Sequence, residues 1–370
     1  MERRDFLKVI ASLGPLSLVS CDQLNKKLFQ LFEGQQFMLS GSSLNSSYKS
    51  NENYLSIFNF KSGLASRFDI NLTPHSFIKN PTETFEYFTF PKEQSGAARL
   101  KFKLNDLGKP ILKKMQRFPP SRSDRYFYGH GCINLEKNEL LCTESSKNLG
   151  QEGFIVIRDL KTLEVKREFP SFGSDPHDIK ISNDKKSLIV ANGGGKIKSN
   201  LCIIDLATEK LIEKYEWSDP QISFAHFEEI PDLNKICIAP RIWNGPIEAA
   251  LDCFIINRNK KSIYPIISQY KTKPRFQFLS LCLNPKKREI AVTCPESKTA
   301  YLFDYEKECL IKELTLNDNP SGIIMDAEKK YYLINLAFSG NVSFVDPNSF
   351  QIAFECNSGI VKNSHTTLFS

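Results

Sequence analysis

Tryptophan, methionine and histidine are the scarce residues of this 370-residue chain, with two Trp, four Met and five His against 28 Phe and 12 Tyr. Several motifs that announce a chemistry are missing. The glycine run Gly193-Gly194-Gly195-Lys196 lacks the G-x-x-x-x-G-K-[ST] order, so it reads as a loop and not as a phosphate cradle. There is no G-x-S-x-G elbow and no H-E-x-x-H pair, which leaves hydrolase chemistry without a motif. The formal charge of +7 is spread along the chain. Its short basic clusters, "PKKR" and "NRNKK", fall at turns, and no basic stripe with interleaved aromatics exists, so nucleic acid is not an expected partner. The apolar run from Val9 to Val19 is about half of the roughly 20 residues that span a bilayer. Of the ten cysteines, none after Cys21 forms a C-x-x-C pair, and most sit in apolar strand-like runs such as "NLCIID" and "KICIAP". Nine remain once Cys21 is set apart, an odd number, and they read as small buried hydrophobes.

What is present begins at the N-terminus. Arg3 and Arg4 precede Asp5, Phe6, Leu7 and Lys8, and the short apolar run follows. This resembles the twin-arginine signal that exports folded proteins across the bacterial inner membrane, with Glu2 where Ser or Thr is usual. Leu18-Val19-Ser20-Cys21 resembles a lipobox, with Cys21 as the lipidated residue, and Asp22 resembles an inner-membrane retention signal. The expected layout is a signal over residues 1–20, a tether over 21–35 and one domain over 36–370, anchored on the periplasmic side of the inner membrane.

The remaining chain repeats. "TPHSFIKNP", "YGHGCINLEKNELLCTES", "DPHDIKISNDKKSLIVANGG" and "FAHFEEIPDLNKICIAPR" place His75, His130, His177 and His226 at the heads of successive units. Ser280 and Ser321 head two more, and the intervals are 55, 47, 49, 54 and 41 residues. Each unit continues with a third and fourth strand-like segment, the third ending in an Asp or Asn turn. Four strands per period of about 40–50 residues is the pattern of a β-propeller blade. The expected fold is all-β, a seven-bladed, WD40-like propeller. Its N-terminal segments "QFMLSGS", "NYLSIFNF" and "ASRFDI" supply three strands, and the C-terminal "SHTTLFS" completes that first blade and closes the ring. His365 then heads a seventh inner strand, so all five histidines share one structural position. Second strands run back to the same face, bringing Glu144, Asn192 and Arg241 beside the heads. A mouth lined by imidazoles suits iron, copper or zinc, whereas a polar residue at the start of each inner strand also serves as a structural feature of a repeat. Both readings of the histidines stay open on the sequence.

The signal, "FYGHGCINLEKNELLCTES", "FPSFGSDPHDIKISNDKKSLIVANGG" and the unit around His226 resemble a family of exported bacterial propellers catalogued as a domain of unknown function. Ser145 stands where the family has Asn, and the acidic insert usual after "VANGG" is reduced to "GKIKS". The resemblance implies a place in iron or other metal acquisition, beside imelysin-like and di-haem peroxidase-like proteins. The leading expectation is a non-enzymatic binding propeller that holds a metal, a metal complex or a partner at its histidine-lined face. The rivals are a metal-dependent oxidoreductase or lactonase-like enzyme and an interaction scaffold with structural histidines. No nucleophile–base pair stands out.

Overall fold

The computed structural model describes residues 37–43, 53–59, 64–106, 108–148, 150–194, 198–242, 252–266, 277–326, 329–358 and 365–369. Arg3, Arg4, Cys21 and the tether lie outside the described residues.

The described strands form seven sheets. In the first, β1 (Phe37–Ser43), β2 (Asn53–Asn59) and β3 (Leu64–Asp69) follow in order. The second holds β4 (Ser76–Lys79), β5 (Glu86–Phe90), β7 (Ala97–Leu104) and β8 (Pro110–Phe118), with the short β6 (Lys92–Gln94) interposed in sequence. The third is built of β9 (Arg125–Asn134), β10 (Glu139–Ser146), β11 (Phe154–Asp159) and β12 (Val165–Pro170), and β6 joins this neighbour as a fifth strand. Next come β13 (Pro176–Ile181), β14 (Ser187–Asn192), β15 (Asn200–Asp205) and β16 (Leu211–Glu216), then β17 (Ile222–Ile230), β18 (Lys235–Ile242), β19 (Phe254–Asn257) and β20 (Ser262–Pro265). The last two are β21 (Ser280–Asn284) to β24 (Cys309–Thr315), by way of β22 (Glu289–Cys294) and β23 (Thr299–Asp304), and β25 (Pro320–Met325) to β28 (Gln351–Asn357), by way of β26 (Tyr332–Leu336) and β27 (Asn341–Asp346). The C-terminal β29 (Thr366–Phe369) returns to the first sheet and pairs antiparallel with β1, Thr366 to Ser40 through Phe369 to Phe37. The fold is an all-β propeller, and its inner strands touch in cyclic order β4, β9, β13, β17, β21, β25, β29 and back to β4.

The repeat is visible in side-chain chemistry as well as in topology. At the end of the third strand Asp159, Asp205, Asp304 and Asp346 each accept the backbone N–H groups two and three residues on. Four residues after each aspartate the chain turns through a positive φ, at Leu163, Glu209, Glu308 and Phe350. This Asx turn closes the outer hairpin of every such sheet. Second and third strands are buried along nearly their whole length, as in "LLCT", "LIVA" and "AYLF", because each sheet is packed on both faces by its neighbours. Phe278, Tyr301 and Tyr305 of one such interface are fully buried together with Cys237, Cys253 and Cys294. All nine described cysteines are free thiols, and five are buried, in keeping with their reading as small hydrophobes.

β29 caps the N–H and C=O groups that β1 would otherwise present as an open edge. Deleting residues 365–370 is expected to lower the melting temperature by about 5 °C or more and to promote association, read by circular dichroism and size-exclusion chromatography. A variant that melts with the wild type would show that this strand does not hold the ring.

Candidate functional site

The five histidines meet at the centre of the ring. His75 and His365 immediately precede β4 and β29, and His177 is the second residue of β13, as expected of strand heads. β9 and β17 instead start five and four residues ahead of His130 and His226 (130 − 125 and 226 − 222). Bulges reconcile the two arrangements. In β13 the ladder steps from Pro176–Asn192 to Asp178–Ala191, leaving His177 as the extra residue. In β17 it steps from Phe224–Pro240 to His226–Ala239 past Ala225. In β9 three residues, Tyr128, Gly129 and His130, bulge against Thr143 alone. A bulge re-aims one side chain without disturbing the strand beyond it.

The "GHG" of β9 has a steric cause on both sides of His130. Gly129 has φ +111°, and a Cβ there would come within 2.6 Å of the His75 ring. A Cβ on Gly131 would come within 2.7 Å of both the Leu141 carbonyl and the Phe90 ring. Only glycine lets His75 and His130 approach as they do.

The imidazole rings are packed against one another, with centroid separations of 4.4 Å for His226–His365, 4.9 Å for His75–His365 and 5.1 Å from His130 to both His226 and His365. One ring nitrogen from each of His75, His130, His226 and His365 lies within 4.8 Å of the other three. His177 borders this group, 4.7 Å from the His226 ring, without joining it. The Nε2 atoms of His75, His130 and His365 are buried with no hydrogen-bond partner, as is Nδ1 of His177. Asp178, next in sequence to His177, stands 3.5 Å from His130 Nδ1 and 3.6 Å from His226 Nδ1. An ionised carboxylate there favours the Nδ1–H tautomer on both rings and leaves their Nε2 lone pairs for another partner.

Burial, reinforced by the neighbouring imidazoles, holds His75, His177 and His365 well below the usual histidine value. His130 is pushed down to about 3 by burial against the opposing pull of Asp178, and His226 is lowered for the same reasons. Burial alone would raise the Asp178 carboxyl, yet Lys180 and the two imidazoles outweigh it and hold it far below the carboxylate range. Lys180 is in turn paired with Glu228 at 2.8 Å. The cluster is thus a set of neutral imidazoles over one fixed anion.

Two residues expected beside the histidines are placed elsewhere. Glu144 turns outward to accept from Ser121 N and Oγ and pairs with Arg158 at 3.3 Å. Asn192 donates to Ser171 O and Asn200 Oδ1 between strands. Each lies on a second strand whose ladder direction is as expected, but its side chain is engaged by the adjoining third strand, at Arg158 or Asn200, and by the loop that precedes its own sheet, at Ser121 or Ser171. Arg241 does lie on the cluster's rim, where its charge lowers the basicity of His226. The sequence reading missed Asp178, although it sits in the "PHD" trio, and it missed Lys92 and Tyr128, which β6 brings to the same rim by pairing Lys92 with Tyr128.

Because the imidazoles stay neutral in the folded chain and protonate when it unfolds, stability owes no pH dependence to them above about pH 7. It is expected to fall as pH drops below about 6.5, by about 1.4 kcal/mol per pH unit for each imidazole kept neutral. Denaturant titrations of metal-free protein from pH 8 to 5 read this directly, and a flat profile would refute it. Glu144→Gln leaves Arg158 buried without its counter-charge and is expected to cost about 3–5 kcal/mol at pH 8. A cost below about 0.5 kcal/mol in the same titrations would show that the pair contributes little.

Residues 112–351 match the sequence profile of the family described as protein of unknown function (DUF1513). Among curated proteins none matches the chain significantly. Hydrazine synthase of Kuenenia stuttgartiensis is similar in structure, with a TM-score of 0.63 at 13% identity over 79% of this chain and 89% of that one. A candidate 6-phosphogluconolactonase of Bacteroides fragilis aligns with a TM-score of 0.62 at 12% identity, over 91% and 99% of the two chains. A Lactobacillus plantarum protein gives 0.62 at 10% identity, over 91% and 100%. At such identities the likeness is one of fold alone.

Proposed function

This chain belongs to the DUF1513 family, and on that premise we propose that it is an exported, lipid-anchored, seven-bladed propeller that binds one transition-metal ion through His75, His130, His226 and His365, in the service of metal acquisition. The observation that carries the reading is the buried, unpartnered Nε2 atoms of His75, His130 and His365, in a group where one ring nitrogen from each of four histidines lies within 4.8 Å of the others. A structural histidine justifies its burial by hydrogen-bonding across the blade junction. Leaving several polar nitrogens unsatisfied in one place instead costs about 1–3 kcal/mol each. A metal ion satisfies all of them at once. With metal–nitrogen bonds of about 2.1 Å, donors lie about 3.4 Å apart in a tetrahedron and at most about 4.2 Å apart across a plane, so the four nitrogens, now within 4.8 Å of one another, draw together when an ion binds. The donor set is all imidazole, which favours iron, copper or zinc over calcium or magnesium. Asp178 stands where a carboxylate orients metal-bound histidines from behind. The seven sheets in cyclic contact support the blade count, while export, the anchor at Cys21 and the metal-acquisition setting rest on the N-terminal sequence and the family resemblance.

Elemental analysis of protein purified from its native compartment tests the reading. About one iron, copper or zinc per chain is expected, lost in His130→Ala and His226→Ala, and bound about 10–100-fold more weakly in Asp178→Asn. Metal-free protein that takes up no added metal, with stability unchanged in both alanine variants, would overturn it.

A further inference from the structure

Four neutral nitrogens hold a divalent ion without cancelling its charge, and Asp178 is already engaged by the Nδ1 atoms of His130 and His226. The surroundings of His177 are built differently. β6 lies in sequence between β5 and β7 but leaves their sheet to pair with β9, Lys92 opposite Tyr128. That pairing sets Lys92 Nζ 5.3 Å from the centroid of the Tyr128 ring. The Tyr128 ring in turn lies edge-on to His177, at 5.9 Å and 79°. His177 is 2% exposed, its Nδ1 has no partner, and its ring stands 5.2 Å from those of His75 and His130. It borders the metal donors from the mouth side. Arg241 completes the rim, its Nε donating to Ser223 Oγ at 3.3 Å.

We propose that this rim is a binding site for a small carboxylate or oxyanion, which Lys92, Tyr128 and His177 hold in contact with the ion on the four histidines. The inference rests on the metal reading and names the co-ligand that completes it. Its electrostatics are consistent. Lys92 is pushed down to about 8 by burial and then by the Arg241 guanidinium, against the smaller opposing pull of Glu93 and Asp175. Asp175 accepts the Ser145 hydroxyl at 2.9 Å and Glu93 is exposed, so an anion held by Lys92 adds to a compensation that these two supply only in part. Burial keeps the Tyr128 phenol protonated and therefore a donor. The anion's charge is met by the metal on one side and by Lys92 on the other, while His177 supplies a ring nitrogen to its oxygens.

Cobalt(II) is the probe, because its visible absorption reports a change of ligand. The full chain is loaded with cobalt in chloride buffer, and acetate or bicarbonate is added at constant ionic strength. Saturable spectral change is expected in the wild type. Lys92→Gln, loaded with cobalt to the same stoichiometry, is expected to require at least about ten-fold more of either anion, as one lost charge-assisted hydrogen bond implies. His177→Gln is also expected to weaken the anion. A cobalt-loaded wild type indifferent to both anions, or a Lys92→Gln protein that titrates like wild type, overturns the anion site and leaves the metal site standing. A wild type that takes up no cobalt overturns the metal site and the anion site with it.

Discussion

Five imidazoles share a space at the propeller's centre in which none of them can carry a proton cheaply. Eight of the ten ring pairs have centroids 4.4–5.2 Å apart, within strong repulsion of any two charges they carried, and burial removes the water that would screen them. The neighbouring charges are arranged around that constraint. Asp178 supplies one negative charge directly behind two of the rings, and it remains ionised because Lys180 sits two residues further along the same strand. Lys180 is held by Glu228 on the adjacent inner strand. The alternation along β13 and β17 therefore produces a layered column of imidazole, carboxylate and ammonium. Neutral imidazole is also the form that ligates a metal, so the burial that disfavours protons preserves the lone pairs.

The backbone accommodates this crowding through irregularity in the inner strands. A regular ladder would send alternate residues to opposite faces, and a shift of one residue would take every histidine off the axis. The bulges at His177, at Ala225 and across Tyr128–His130 break that alternation where an imidazole has to point inward. The second and third strands behind them stay in register and carry the apolar packing. Irregular backbone falls on the innermost strand, where the imidazoles meet, and again where the third and fourth strands pair, while the second and third strands between them keep an unbroken ladder.

The fold was legible because its signal is repeated. Short apolar runs, turn residues at recurring positions and the recurrent aspartate at the end of the third strand each occur several times, and agreement among copies offsets the ambiguity of any one. The histidine cluster was legible for the same reason, since five scarce residues fell at one position of the repeat. The misplacements share a different cause. Glu144 and Asn192 sit at the correct strand position, but a buried side chain goes to whichever partner satisfies it, and neither the adjoining strands that carry Arg158 and Asn200 nor the loop that carries Ser121 announces such a pairing in sequence. β6 breaks the repeat altogether. A three-residue strand that abandons its own sheet has no periodic signal, so Lys92 and Tyr128 could not be joined to the cluster from sequence.

The seam of the ring and the histidine cluster are one place. His365 lies directly before β29, the strand that closes the first sheet, and its backbone N–H bonds to the carbonyl of His75 at 3.3 Å. Two of the four converging nitrogens thus come from the two sides of the closure, residues 75 and 365, nearly the full described length apart. Loop-closure entropy is greatest for such a contact and grows only slowly with further length, so the chain bears that cost once, at folding, and every later interaction at the centre draws on the same closure. His130 and His226 are contributed by inner strands that reach the axis only when their own sheets are packed between neighbours. The four-nitrogen arrangement therefore exists as a property of the closed ring and of no smaller part of it, and anything that binds there binds the folded propeller as a whole.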